Sequence, residues 1–124
     1  MNTLKVVLAQ ALPAYHPGEA LEGTAEWELS MPTKQLELRL CWTTDAPAGS
    51  EEPVVLKTET IEAPSPEGRR RFRWELPEGP WSFEGKLFSV KWFLELVDEA
   101  DERGRTEFVL SPTGQPLRNG PPTA

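Results

Sequence analysis

Two stretches decide how this chain folds: Pro80–Leu96, PWSFEGKLFSVKWFLEL, and Tyr15–Gly23, YHPGEALEG. In the first, a proline-bounded turn runs into a segment whose alternate residues Phe88, Val90, Trp92, Leu94 and Leu96 are all apolar. Side chains alternate between the two faces of a strand, so this period of two marks one buried face. In the second, a Pro-Gly turn launches another such segment, with Leu21, Ala25, Trp27 and Leu29 in phase. Both segments read as strands of a sandwich that buries one face of each sheet.

Working outward, the same alternation recurs and no segment keeps a helical period. Seven strands are predicted: Leu4 to Gln10, Glu19 to Leu29, Gln35 to Thr43, Val54 to Ile61, Arg70 to Leu76, Leu87 to Val97 and Thr106 to Leu110. The fourth is the least clear in its facing. Between them lie Pro17-Gly18, Met31-Pro32, the 46–49 and 64–68 loops and the Pro77 to Pro80 turn. Proline lacks a backbone donor, so its confinement to these gaps is what a sheet requires. Residues 1–110 are expected to form the sandwich, and the Pro- and Gly-rich residues 111–124 a flexible tail.

Seven short strands without a Cys-Trp-Cys spacing predict an all-β, immunoglobulin-like antiparallel sandwich that lacks the disulfide. In that arrangement the first, second, fifth and fourth strands share one sheet and the third, sixth and seventh the other. Trp42, Trp74 and Trp92 are expected to converge between the sheets with Phe72 and Phe88. Such aromatic burial offsets the missing cross-link.

The 124 residues carry a net charge of -7, which rests mainly on dispersed glutamates. An acidic surface argues against nucleic acid and anionic lipid as partners. No apolar run approaches the roughly 20 residues that span a bilayer, and the N-terminus reads as a strand rather than a signal peptide. With a single cysteine, Cys41, there is no intrachain disulfide, and the expected setting is cytoplasmic.

Two motifs make the reading more specific. Tyr15-His16-Pro17-Gly18-Glu19-Ala20-Leu21-Glu22-Gly23 follows a Y-x-P-G-E-x-h-x-G pattern, h being apolar. Phe72 to Pro77, Pro80-Trp81-Ser82-Phe83 and Val90 to Leu94 then supply an F-x-h strand, an h-P step, a P-x-S-F turn and a closing aromatic strand. In order and spacing these resemble the N-terminal sandwich of the arrestin superfamily, including its small bacterial sporulation-control members, over roughly Leu4 to Leu110. The resemblance implies a non-catalytic adaptor or scaffold that binds another protein. It does not carry over phosphate sensing, because the first strand offers only Lys5 where arrestins place adjacent lysines. Nor does a lone sandwich contain an interface between two.

Few residues bear chemistry. His16 sits in a turn with no triad partner at a motif spacing, and Cys41 lies on the polar phase of its strand without a second ligand nearby. The segment 98–105, DEADERGR, shares only composition with a calcium loop and reads as a charged hairpin connection. No enzyme activity, metal or cofactor is expected. Arg69, Arg70, Arg71 and Arg73 form the one basic cluster. Either it makes a cross-strand ladder with Glu22, Glu26 and Glu28, or it takes an acidic partner. Trp81 lies off the core pattern, and either caps the open end of the core or anchors a partner, with Phe83 and Phe93 as companions. The candidate partner-binding residues are therefore Trp81, Phe83, Phe93, Arg69, Arg71 and Arg73. The alternative is a carbohydrate-binding sandwich, which needs at least two coplanar exposed aromatics. An open sheet edge, at 54–61 or 106–110, offers a further surface for a partner segment or a homodimer.

Overall fold

The structure, a computed structural model, describes residues 2–113 and 117–118. Among these there is no helix; the chain is an antiparallel β-sandwich, as predicted. All seven predicted strands are present: β1 (Thr3–Leu8), β2 (Ala20–Glu28), β3 (Gln35–Ala46), β5 (Val54–Glu62), β6 (Glu67–Glu75), β8 (Ser89–Val97) and β9 (Arg103–Phe108). Three two-residue strands join them: β4 (Gly49–Ser50), β7 (Phe83–Glu84) and β10 (Leu117–Arg118). Within the expected tail, Ser111 is buried and β10 runs parallel to β7; residues 114–116 and 119–124 lie outside the described residues.

One sheet has the order β1-β2-β6. The other is wider, with β3 and β8 at its centre, β5 and β4 beside β3, and β9 and β7 beside β8. This corrects one expectation: β5 pairs with β3 and not with β6. The core lies between the layers, where Leu36, Leu38 and Leu40 of β3 and Trp92, Leu94 and Leu96 of β8 meet Leu21, Ala25 and Trp27 of β2. Their alternate positions all point inward, so strict period-two sequence becomes one continuous apolar layer.

Trp92 is fully buried and its indole N–H donates to the Pro80 carbonyl at 2.6 Å. Trp42 and Trp74 are half-buried, packed on the rim of the core, and Phe88 is exposed. Trp42, on the wide sheet, is thus only partly covered by the narrow one, and Trp74 lies on the edge strand β6.

The Tyr15–Glu19 motif works as a clamp. Gly18 has φ +81°, a conformation that side chains disfavour, and its N–H donates to Leu76 O at 3.0 Å. Tyr15 is buried edge-on against Phe108, and its backbone bonds Val109 and Ser111. One turn thus ties the end of β6 to the end of β9.

Candidate functional site

The two sides of the sandwich close differently. On one side β1 packs against β9: Thr106 Oγ1 donates to Val6 O at 2.6 Å, and a Cβ placed on Gly104 would lie 2.0 Å from Leu4 O. The edge expected at 106–110 is therefore covered by β1. On the other side β5 and β6 belong to different sheets and both are edges. An ion pair between them joins Arg70 Nη1 to Glu59 Oε2 at 3.9 Å.

The arginine cluster lies on this open side. In the β2–β6 register Arg73 faces Glu22, Arg71 faces Thr24 and Arg69 faces Glu26. Arg73 Nε bonds Glu22 Oε1 at 2.8 Å, and Glu26 is engaged by Lys5 at 3.5 Å. The expected ladder is thus partial: Arg71 has a threonine opposite it, not a glutamate. Among the described residues neither Arg69 nor Arg71 has an ion pair.

The backbone of β6 follows the same phase. Leu76 N–H donates to Glu19 O and Leu29 N–H to Pro66 O, so the even-numbered residues of β6 bond to β2. Antiparallel alternation then turns the N–H and C=O of Arg69, Arg71 and Arg73 toward the open edge. Three exposed guanidinium side chains and three unpaired backbone positions coincide.

The aromatic turn is rigidly held. Ser82 N–H donates to Leu110 O at 2.7 Å, and its Oγ accepts from Leu110 N–H at 2.9 Å. Gly79–Pro80 is cis. Trp81 is 41% exposed, and its indole N–H donates to Glu78 O at 2.7 Å. Phe83 is half-buried against Phe88 at 5.1 Å, with the rings inclined by 39°. That pair is not a coplanar platform for a sugar. Leu87, 77% exposed, and Phe88 extend the apolar surface beside the turn.

Phe93 does not join it. It faces the outer side of the wide sheet yet is only 2% exposed, because the Arg105 guanidinium lies 4.3 Å above its ring. The expectation of an exposed Phe93 fails because a guanidinium group is attracted to the face of an aromatic ring and covers it.

That outer face holds a cluster the sequence reading missed. Glu95, also 2% exposed, is bonded by Arg39 Nη1 at 3.4 Å, Arg103 Nη1 at 3.2 Å and Arg105 Nε at 3.1 Å. Arg39 also bonds Glu37, and this contact holds its pKa above the ordinary value. The signal was a glutamate set between Phe93 and Val97 on one face of β8. Cys41 lies alongside, fully buried, and burial pushes its thiol up to about 11. The thiolate that nucleophilic or metal chemistry needs is therefore scarce at neutral pH.

His16 is exposed, 3.9 Å from Glu19. The 98–105 segment is only partly a connection, since Arg103, Gly104 and Arg105 already pair with β8 in β9; in its turn Asp98 Oδ1 accepts the N–H groups of Ala100 and Glu102, each at 2.9 Å. No cluster of three metal-ligating side chains occurs among the described residues. Among the same residues no helix is long and apolar enough to cross a membrane.

No protein-family model matches the chain, and no curated protein matches it significantly. Solved structures do. The crystal structure of Spo0M, a sporulation control protein from Bacillus subtilis, matches with a TM-score of 0.56 at 17% identity, covering 89% of this chain and 49% of that one. The chain has an arrestin-like fold. It spans about half the length of Spo0M. The alkylpurine DNA glycosylase AlkC of Pseudomonas fluorescens, bound to DNA containing an abasic site analog, gives a TM-score of 0.45 at 16% identity over 86% of this chain and 30% of that one. That likeness is too weak to carry an argument.

Proposed function

We propose that this arrestin-like sandwich is a non-catalytic adaptor or scaffold module, and that it binds an extended, acidic segment of a protein partner along β6. One observation carries the reading. Arg69, Arg71 and Arg73 present both their guanidinium groups and their backbone hydrogen-bonding groups at the same open edge. A strand added there bonds the backbone of these residues, and its side chains opposite them point to the same face. Carboxylates at alternate positions of that strand then meet the arginines. β6 carries four arginines against two glutamates on a chain whose net charge is -7, so its edge attracts what the rest of the surface repels.

Calorimetric titration with a short synthetic peptide alternating Glu and Thr tests this. Wild-type protein is expected to bind it, and Arg71→Glu to weaken binding about tenfold, since it exchanges an attraction for a repulsion across one strand pair. The affinity should also fall with added salt. An Arg71→Glu protein that binds the peptide as wild type does, or a wild-type protein that ignores it, would sink the reading.

A further inference from the structure

The other strand of the open side has a different chemistry. Val54, Val55 and Leu56 of β5 are all exposed, and of the nine residues only Glu59 and Ile61 are better covered. Lys57 has no ion pair among the described residues. Glu59 Oε2 is enclosed without a hydrogen-bond partner and has only the Arg70 guanidinium at 3.9 Å. Two opposite charges, two residues apart on one strand, are thus left largely unsatisfied within the chain.

The backbone phase fixes how they can be used. Ala63 N–H donates to Lys34 O, in line with the β3–β5 register of Leu36 with Ile61 and Leu38 with Glu59. The N–H and C=O of Lys57, Glu59 and Ile61 therefore point to β3, and those of Thr58 and Thr60 point out. An antiparallel neighbour must pair outward-pointing residues with each other. If that neighbour is β5 itself, a two-fold axis at Thr58 opposes Thr58 with Thr58, and Lys57 with Glu59 in both directions. An axis at Lys57 or Glu59 opposes like charges. An axis at Thr60 sets Glu59 against Ile61. Only the first register is electrostatically self-complementary.

We propose that β5 is a self-association edge, at which a second copy of this chain adds antiparallel with the two-fold axis at Thr58. The pairing makes one continuous sheet from the two wide sheets. It gives each Glu59 an ammonium partner and brings Leu56 alongside Thr60 of the second copy. The register irregularity at Leu40/Cys41, opposite Leu56, ends the regular ladder there. This surface is separate from the β6 edge, so the two readings stand or fall independently.

Sedimentation equilibrium on the whole chain tests it. Wild type is expected to reach twice its 13.9 kDa mass reversibly with concentration. K57E and E59K each create two like-charge contacts per dimer and should weaken association about tenfold. The K57E/E59K double variant restores both pairs with exchanged signs and should recover most of the loss. T58P removes an outward N–H that no intrachain ladder bond uses, so it should give a folded monomer by circular dichroism. A wild type that stays monomeric at every concentration overturns the proposal. So does a double variant no better than the single ones, or a folded T58P that still dimerises. None of these outcomes bears on binding of the acidic peptide at β6.

Discussion

The side of the sandwich where β1 meets β9 and the side where β5 meets β6 are built from opposite materials. At the first, Gly104 and Thr106 let two backbones approach until side-chain and main-chain groups bond across the sheets. Asn2 adds to this, donating from its side chain to Asp98 at 2.8 Å and from its backbone to Glu102 at 3.0 Å. At the second, long charged side chains stand between the edges, and the Arg70–Glu59 pair, 3.9 Å long, joins two partly exposed side chains. An exposed ion pair contributes about 0–1 kcal/mol, which is not enough to hold edges together. A sandwich can thus be sealed where its edge residues are small and left available for partners where they are long.

The largest expected effect lies on the sealed side. Gly104→Val places a branched side chain where Leu4 O already lies 2.0 Å from a bare Cβ, so β1 must move away. Overpacking of this kind costs about 3 kcal/mol, read as a lower urea midpoint. A loss below 1 kcal/mol would show that β1 is not pressed on β9. Next comes Glu95→Gln, which leaves three arginines around a neutral group under the outer face of β8. Removing one partner of a buried pair costs about 3–5 kcal/mol, and the partial exposure of these arginines lowers the expectation to about 2 kcal/mol. Unchanged stability would mean that water already screens the cluster.

A pH effect of the same region follows from Cys41. Its thiol rises from 9.0 to about 11 on folding, first through burial and then through the charge of Glu95. A raised pKa means that the folded chain holds its proton longer than the unfolded one. The contribution is intact below pH 9 and is lost as pH climbs from 9 toward 11. Cys41→Ala should flatten the fall in stability over that window; an equal slope in both proteins would show that other groups cause it.

How legible this was in the sequence varies by strand. β2, β3 and β8 could be placed because one face of each is strictly apolar, and their register follows from burying that face. The Tyr15–Glu19 turn could be placed from Pro17-Gly18. β5 could not be assigned to its sheet, because nothing covers much of it: Val54, Val55, Leu56, Lys57 and Thr58 are all exposed, so burial left no pattern. The half-burial of Trp42 and Trp74 was equally hidden, since alternation gives the facing of a residue but not how completely its neighbours cover it. At the candidate site, the row Arg69, Arg71, Arg73 was visible as one face of a strand. What alternation alone does not reveal is that guanidinium groups from β3 and β9 lie against Phe93 and Glu95 of β8 and make an outward phase buried.

The smallest expected effect on stability is the most telling about the open side. Arg73 and Arg71 lie two residues apart on the same face, but Arg73 is bonded to Glu22 at 2.8 Å and Arg71 faces Thr24. Arg73→Ala should cost about 0.5 kcal/mol, the loss of one exposed cross-strand pair. Arg71→Ala should leave stability within about 0.5 kcal/mol of wild type, because it breaks no ion pair. For binding of the alternating Glu and Thr peptide the order should reverse. Arg71 is free to meet a carboxylate, whereas Arg73 must first share or release the one it holds. Denaturation and titration of the same two proteins make the comparison. If Arg73→Ala harms both stability and binding more than Arg71→Ala does, the paired arginine is the anchor, and the unpaired one is only a solvated charge on an edge.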